Sequence, residues 1–339
     1  MRRSTLTVIV TLGPATASPA AVAALRDAGA DLVRLNGAHL LPGQLAMLLD
    51  MAERGGFPMD RVVVDLQGGK TRLGWLPAPV PVRAGERLHL VPEGQATASQ
   101  GLITVDRPAF LRALVPGDRL RLDDGRLGFT VLAAHGTRIS VEAELDGELK
   151  SRKGLACLGR ELDLEVHLLP SDRTLLDRAV KRGVKHLAVS YARHPDLLRL
   201  VKRYARSAAP NQPVQVYAKL EQPGAVDAWS VLAEACDGLW LCRGDLGAEV
   251  GLENLPGLQR RLLTQALPGV PLLVAGQVLH HMCVSPRPTR SEACHVDDLL
   301  QAGVAGFVLS DETALGPHGP KAVRWLQRLF AAGDPTAAP

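Results

Sequence analysis

Short apolar runs rich in β-branched residues recur along the chain, and each is followed by a segment in which apolar residues have helical spacing. Eight such runs are present: LTVIVT, DLVRLN, RVVVDL, KHLAVS, VQVYAKL, GLWLCR, PLLVAG and AGFVLS. In the first helical segment, Ser18 suits the N-cap, Pro19 the first helical position and Gly29 the position past the end. Continuous apolar runs are typical of parallel strands buried on both faces. The pattern therefore predicts an α/β fold, a (β/α)8 TIM barrel.

One connection departs from this pattern, between the third run, ending near Asp65, and the next helix, starting near Ser171. It is rich in proline, glycine and short alternating runs such as VPGDRLRLDDGRLGFTVL. We predict a small β-barrel lid domain at 75–152, inserted after the third strand between barrel segments 1–74 and 153–334, with a disordered tail at 335–339. An insertion in a βα loop lies over the catalytic face of such a barrel, so a lid is the predicted role. A solubilising decoration is the alternative.

Composition narrows the class of function. The 339 residues are 46% apolar, which excludes a disordered protein, and they are only 4% aromatic with a net charge of +4, so we expect no nucleic-acid partner. No apolar stretch is long enough to span a membrane. The five cysteines form no C-x-x-C pair and favour a reducing compartment. We therefore predict a cytoplasmic protein that acts on small molecules and has no membrane partner.

Polar residues at the ends of the predicted strands carry the candidate chemistry, because these ends face one pocket in a barrel. Lys219 and Glu221 are two residues apart in an extended segment, so their side chains share a face, and Asp245 follows the next strand. Two carboxylates from adjacent strands suit Mg²⁺, which takes its remaining ligands from water and substrate. The lysine suits a phosphate or an enolate oxygen. A structural ion pair that caps the barrel core is the alternative.

Several longer motifs resemble the pyruvate kinase family, and the resemblance extends from Thr7 to about Ala331. In chain order they are VTLGPAT, AGADLVRLNGAH, DLQGGKTR, VPGDRLRLDDGR, AKLEQPGAV, DGLWLCRGDLGAEVG, SPRPTRSEA and VLSDETALG. The resemblance implies transfer of the phosphoryl group of phosphoenolpyruvate to ADP, with Mg²⁺ or Mn²⁺ as cofactor. The inserted β domain falls where that family carries its lid.

The resemblance also implies roles for individual residues. Lys219, Arg34 and Arg72 would be catalytic, with Lys219 stabilising the transferring phosphoryl group and the enolate. Glu221 and Asp245 would bind the divalent metal. The remaining implied roles are substrate binding by Gly244, Asp245, Gly276 and Ser190, nucleotide binding by Pro14, Asn36, His39 and Lys153, and a supporting position at Ser310.

Two departures from the family pattern bear on activity. Gly276, in VAGQVLHHM, stands where the family has a threonine whose hydroxyl is expected to contact the substrate carboxylate and to support protonation of the enolate. Its loss predicts a turnover lower by about 10² to 10³, and a Gly276→Thr variant is expected to raise it. The residues after His39 read LLPGQL, where the family has a polar turn near the nucleotide, so ADP binding is expected to be altered.

A third departure concerns potassium. Ala38 and Leu66 replace a serine and a threonine that bind K⁺ in the potassium-dependent branch, whereas DLQGGK is similar to the DLQGPK of the branch that works without it. We predict that the ammonium of Lys70, together with Asp65, supplies the charge of the bound ion. K⁺ is therefore not expected to be required.

The chain ends at Pro339, so we expect the C-terminal effector domain of most family members to be absent, together with its allosteric control, and a homodimer to form through the barrel. Three functions stay open. The first is a short, unregulated pyruvate kinase. The second is a barrel enzyme that acts on phosphoenolpyruvate or a 2-oxo acid by hydrolysis, enolisation, a lyase step or decarboxylation. The third is a catalytically weak homologue that binds phosphoenolpyruvate, which the retained Lys219, Glu221 and Asp245 disfavour.

Overall fold

Eight parallel strands close into a barrel in the computed structural model, which describes residues 5–40, 43–94, 101–123, 125–160, 162, 168–265 and 269–333. The barrel strands are Thr7–Thr11 (β1), Leu32–Asn36 (β2), Val62–Leu66 (β3), His186–Val189 (β12), Gln215–Leu220 (β13), Gly238–Cys242 (β14), Leu272–Ala275 (β15) and Gly306–Leu309 (β16). Each strand pairs with the barrel strands that precede and follow it in the chain, and β1 pairs with β16. The predicted (β/α)8 barrel is confirmed.

Helices surround the barrel and connect its strands. They are Pro19–Asp27 (α1), Gln44–Arg54 (α2), Pro170–Lys181 (α4), Pro195–Ala208 (α5), Pro223–Asp227 (α6), Trp229–Ala233 (α7), Arg243–Val250 (α8), Leu255–Thr264 (α9), Arg290–Gln301 (α10), Asp311–Ala314 (α11) and Gly319–Ala332 (α12). The first begins as predicted, because Ser18 Oγ accepts a hydrogen bond from the Ala21 amide at 3.2 Å and Pro19 opens the helix.

Alternation along the barrel strands sorts side chains into two layers. Val8, Leu239 and Phe307 point outward and pack with the helices, whereas Ile9, Trp240 and Val308 fill the barrel interior. Two residues further along, the interior layer becomes polar on one side of the barrel. Its members there are Thr11, Arg34, Asp65, Ser190 and Lys219, all buried. Continuous apolar strands that end in buried polar residues thus place the candidate site at the carboxyl end of the barrel.

The insertion forms a lid domain with its own core. Its elements are Val80–Val82 (β4), Arg87–Pro92 (β5), Leu102–Val105 (β6), Pro108–Ala113 (α3), Arg119–Leu122 (β7), Leu127–His135 (β8), Arg138–Ala143 (β9), Gly147–Leu149 (β10) and Leu155–Cys157 (β11). Six strands make a sheet in the order β11-β7-β8-β9-β5-β6, and β10 pairs with β4. The segment 71–74 joins the two edges of the six-stranded sheet. The backbone of Arg72 pairs with that of Gly154, and the backbone of Leu73 pairs with that of Val105, each as a single antiparallel β-bridge. This segment closes the sheet into the predicted small barrel.

The boundary predicted for the lid, 75–152, is too narrow. Strand β11 pairs with the lid strand β7, and the lid core includes Leu73, Leu155, Cys157 and Leu162. The sequence pattern missed these residues because they are too few to make a separate strand signal. The predicted tail at 335–339 lies outside the described residues.

Two further features bear on the compartment. Within the described ranges, no helix has both the length and the apolar character needed to cross a bilayer. All five cysteines are free, with Cys157, Cys236 and Cys242 buried.

Candidate active site

A closed network of charged side chains occupies the carboxyl end of the barrel. Lys219 Nζ lies 3.1 Å from Asp65 Oδ2 and 2.8 Å from Glu221 Oε1, and it donates to Ser190 Oγ at 2.7 Å. Arg34 Nη2 lies 2.6 Å from Asp65 Oδ2, and Ser190 Oγ donates to Asp65 Oδ1 at 3.3 Å. The sequence therefore placed these five residues together correctly, and the alternation that aligned Lys219 with Glu221 is confirmed in the geometry.

Charge pairing controls protonation in this network. Burial would raise the pKa of Asp65, but the nearby charges of Lys219 and Arg34 outweigh it and hold that pKa below its ordinary value. Burial likewise opposes the charge of Lys219, yet Asp65 and Glu221 raise the pKa of its ammonium. Asp65 is thus an anion and Lys219 a cation at neutral pH.

Glu221, which belongs to this network, has a second carboxylate, Asp245, as its neighbour. Burial and the charge of Asp245 raise the pKa of Glu221 despite Lys219, whereas Lys70 and Lys219 outweigh burial and lower the pKa of Asp245. Glu221 Oε2 accepts the amide of Tyr191 at 2.7 Å, and its buried Oε1 lies 2.8 Å from Lys219 Nζ. Within the described part of the chain, no group of three or more His, Cys, Asp or Glu side chains is placed to hold a metal. Two neighbouring carboxylates, of which Glu221 is fully buried, fit a hard cation that completes its coordination with water and substrate.

Arg72 lies where the barrel meets the lid and is only 6% exposed. Its amide donates to Asp106 Oδ1 at 2.8 Å, and its Nη1 donates to the carbonyl of Arg152 at 3.0 Å. Its buried Nε has no hydrogen-bond partner. A guanidinium nitrogen left without an acceptor in a buried site is suited to an anionic ligand.

The connector from β3 to the lid, residues 67–70, is held by a buried carboxylate that the sequence did not single out. Asp172, in the first turn of α4, accepts the amides of Gln67 and Gly68 at 2.9 Å each. Gly68 has a φ of +59°, and a Cβ there would overlap the carbonyl of Ser190. Burial raises the pKa of Asp172 to about 6, and it does the same to Asp106 at the lid end of the connector.

Lys70 ends the connector, and its ammonium forms an ion pair with Asp245 Oδ1 rather than with Asp65. Lys153, predicted to reach the nucleotide phosphates, instead pairs with Asp123 within the lid, at 2.7 Å. The role of Lys70 as a replacement for potassium stays a prediction. The structure places it at Asp245, beside Glu221.

The predicted nucleotide side is built from two short turns. Pro14 opens the 3-10 turn Pro14–Thr16, and Asn36 caps the turn Gly37–His39 by accepting the Ala38 amide at 3.2 Å. The side chain of His39 lies outside the described residues, as do Leu41 and Pro42 of the altered turn. A nucleotide-binding role for Pro14, Asn36 and His39 remains a prediction.

Gly276 and Gly244 approach each other at the substrate end of the site. A Cβ at Gly276 would lie 3.0 Å from the Gly244 amide nitrogen, which belongs to the first turn of α8 together with Asp245. The carbonyl of Gly276 accepts Arg243 Nε at 3.0 Å. Ser310 stands at the start of α11, where its amide donates to Glu312 Oε2 at 2.9 Å. Gly276 therefore packs closely against the first turn of α8.

The structure reverses the expectation that Gly276→Thr raises turnover. The φ of Gly276 is +89°, a conformation that a β-branched residue adopts only with strain. We expect Gly276→Thr to lower the free energy of unfolding by about 1 to 3 kcal/mol and to lower turnover as well. Gly269→Thr is the matched control for backbone strain, because Gly269 has a φ of +84° with nothing within 4 Å of its Cβ position. It should lower the free energy of unfolding and leave turnover unchanged. Urea unfolding and steady-state rates of both variants test this, and a faster Gly276→Thr enzyme would contradict it.

The lid lies over the barrel's carboxyl end. The Gly159 amide donates to the carbonyl of Glu249 in α8 at 2.8 Å, and Arg193 Nη1 donates to the carbonyl of Leu162 at 2.8 Å. The two domains enclose a cleft of about 550 Å³, counted with its opening to solvent. Its walls include Gly69, Thr71, Arg107, Tyr191, Arg193 and Gln222. The insertion and the barrel therefore line one cleft at this end of the barrel, and the role of the insertion as a lid stays a prediction.

Sequence reasoning missed Asp172, Asp106 and Tyr191. The sequence gives only a weak indication of Asp172, which is an acidic residue in the first turn of the helix after the insertion. Acidic residues are common in a first helical turn because they interact favourably with the helix dipole, so this position does not by itself indicate a role in the site. Tyr191 has a φ of +54°, and no sequence pattern marks such a conformation in a tyrosine. Its amide is the donor that orients Glu221.

Comparison with known proteins agrees with this architecture. Residues 1–323 match the family described as pyruvate kinase, barrel domain. A pyruvate kinase from Methylorubrum extorquens is 32% identical over 97% of this chain and 69% of its own length, and one from Aeropyrum pernix is 31% identical over 96% and 70%. A crystal structure of a pyruvate kinase from Cryptosporidium parvum has the same fold, with a TM-score of 0.82 at 23% identity over 97% of this chain and 68% of that one. The chain therefore belongs to the pyruvate kinase family and is a phosphotransferase of that type.

Proposed function

We propose that the protein transfers the phosphoryl group of phosphoenolpyruvate to ADP, giving pyruvate and ATP, with Mg²⁺ or Mn²⁺. The observation that carries this proposal is the buried Nε of Arg72, which has no hydrogen-bond partner, together with the neighbouring carboxylates Glu221 and Asp245 at the carboxyl end of the barrel. An ion-pair network that served only to cap the core would satisfy its own buried groups. A buried guanidinium donor without an acceptor suits an anion, and a pair of neighbouring carboxylates suits a cation, as a phosphate and a metal would provide.

The residues of the site then act mainly by position and charge, as phosphoryl transfer requires. Glu221 and Asp245 would hold the divalent ion, which supplies charge neutralisation for the phosphoryl oxygens and the enolate oxygen when bound. Arg72 binds the phosphate. Lys219, kept cationic by Asp65 and Glu221, stabilises negative charge on the transferring phosphoryl group and on the enolate.

The substrate carboxylate is bound by the amides of Gly244 and Asp245 at the start of α8. Both residues stand in the first turn of this helix, where backbone N–H groups lack intrahelical partners. Arg34 is held rigidly by Asp65 and, through Nη1, by Thr11 Oγ1 at 3.1 Å, which supports its role as a second phosphate-binding arginine. Pro14, Asn36, His39 and Lys153 are proposed for the nucleotide, with Lys153 reaching it only after the lid moves.

A second candidate is phosphoenolpyruvate hydrolysis or pyruvate enolisation, which the missing hydroxyl at Gly276 favours because delivery of a proton to the enolate is altered. One assay separates the candidates. Purified protein is incubated with phosphoenolpyruvate and Mg²⁺, with and without ADP, and pyruvate, phosphate and ATP are followed separately. ATP formed in step with pyruvate supports the kinase. Phosphate without ATP supports hydrolysis. The absence of any product supports a homologue that binds phosphoenolpyruvate without turning it over.

We also propose that turnover needs no potassium. Lys70 brings a fixed cation to the site, so an added monovalent cation has no vacant charge to fill. Exchanging tetramethylammonium chloride for KCl at constant ionic strength should change the rate of ATP formation by less than about twofold. A many-fold rise with K⁺ would overturn the assignment of Lys70.

The proposal also includes a homodimer that forms through the barrel and a cytoplasmic location. The free thiols support the location, since oxidising compartments favour disulfides. Light scattering coupled to size-exclusion chromatography measures the oligomeric state, and a monomer at micromolar concentration would reject the dimer.

A further inference from the structure

Lys70 reaches from the connector across to α8, where its ammonium pairs with Asp245 Oδ1. The side chains are only 13% and 18% exposed, so water screens the pair weakly. Asp245 is one of the two carboxylates proposed for the divalent metal, and its partner Glu221 is completely buried. A cation of the chain itself thus neutralises the carboxylates that would bind the metal.

The path of Lys70 is built into the lid wall. A Cβ at Gly154 would overlap Lys70 Cε and would lie 2.9 Å from Lys70 Nζ, so the lysine lies directly against the glycine. Gly154 forms an antiparallel β-bridge with Arg72, and the neighbouring amide of Leu155 donates to the carbonyl of Thr71 at 2.9 Å. Glycine at this position therefore gives the ammonium its route to Asp245.

We propose that Lys70 takes the place of the divalent cation on Asp245 in the metal-free protein and competes with the metal for this carboxylate. The inference rests on the proposed function, because it takes Glu221 and Asp245 as the metal ligands. Two cations close to one carboxylate repel each other in a partly buried site, so Lys70 has to leave Asp245 when the metal binds. The displaced ammonium then becomes available to provide the charge assigned above to a potassium substitute.

Metal binding is thereby coupled to the lid. Lys70 immediately precedes the segment 71–74 that closes the lid barrel, so its departure from Asp245 removes one ion pair between the lid and α8. Coupling is reciprocal, so a change that weakens this ion pair should strengthen metal binding by the same factor.

The test measures Mn²⁺ binding to the complete chain without any substrate, by electron paramagnetic resonance of free Mn²⁺. We expect Lys70→Met to bind Mn²⁺ about tenfold more tightly than the wild type, a typical size for such coupling. Gly154→Ala keeps the lysine but displaces its end from Asp245, so it should shift the affinity in the same direction by a smaller factor. Lys150→Met is the control, because it removes the same charge from an exposed lid lysine that pairs only with Glu148, and it should leave the affinity unchanged.

The outcomes separate this inference from the proposed function. Tighter Mn²⁺ binding by Lys70→Met and Gly154→Ala supports the inference, even if no ATP is formed and the kinase proposal fails. Equal or weaker binding by Lys70→Met, or failure of every variant to bind Mn²⁺, overturns it. Metal-dependent ATP formation with unchanged affinity in Lys70→Met would reject the inference and leave the kinase proposal standing.

Discussion

Replacing Lys219 with methionine is expected to reduce ATP formation by about 10³-fold or more and to lower the free energy of unfolding by about 3 to 5 kcal/mol. The catalytic loss follows from the proposed function, in which this buried ammonium stabilises the negative charge of the transferring phosphoryl group. The loss of stability follows because Asp65 and Glu221, which are 1% and 0% exposed, would keep their burial and lose a shared counter-ion. Steady-state kinetics and urea unfolding at pH 7 measure the two effects.

A matched control and a second variant distinguish the two effects. Lys202→Met removes a lysine whose pair with Asp237 is about one-third exposed, so it should cost less than about 1 kcal/mol and leave activity intact. The double variant Lys219→Met with Asp65→Asn should recover part of the lost stability without recovering turnover. Turnover of Lys219→Met within tenfold of the wild type would show that the charge of Lys219 is not part of catalysis.

The second large effect is a pH dependence that arises from Asp172. Its pKa in the folded protein is about 6, above the ordinary 3.8, because burial outweighs its two backbone hydrogen bonds. A raised carboxyl pKa means that the folded state holds a proton that the unfolded state has released between these values. The stabilising contribution is therefore complete below about pH 4 and is lost as the pH rises through 6, and it amounts to about 3 kcal/mol for Asp172.

The measurement compares the wild type with Asp172→Asn by urea unfolding from pH 4 to pH 7. The stability of the wild type relative to the variant should decline by about 3 kcal/mol over this range. Asp177→Asn, on the same helix but 46% exposed and paired with Lys181, should give a difference that stays nearly constant. A wild-type advantage that grows with pH would show that the backbone hydrogen bonds outweigh burial at Asp172.

The barrel and the centre of its site were predictable from the sequence for one physical reason. On a strand, alternation fixes the direction of each side chain, so Asp65, Ser190 and Lys219 had to face the barrel interior once their strands were recognised. The inward direction of the Arg34 side chain follows from the same rule. Their mutual contacts then needed only the parallel arrangement of the strands, which brings all carboxyl ends to one face.

Residues outside the strands did not follow any such rule. The direction of Lys70 depends on how the connector bends, and that bend is set by Asp172, which is 102 positions away from Lys70 in the chain. The positive φ of Gly276 likewise depends on neighbouring elements, and a sequence comparison that sees only a missing threonine cannot detect it. The family resemblance supplied roles for these positions, whereas the contacts that constrain them are tertiary.

The closure of the lid barrel by residues 71–74 limits how this domain can be separated from the rest of the chain. Joining residue 74 to residue 153 would leave Leu73, Leu155 and Cys157 on the remaining barrel, although all three belong to the lid core. A lidless enzyme would instead have to be spliced between residues 70 and 168, and that splice removes Arg72 with the lid. Under the proposed function, shielding of the reaction by the lid and phosphate binding by Arg72 are thus encoded in one stretch of chain, so the first cannot be removed without the second.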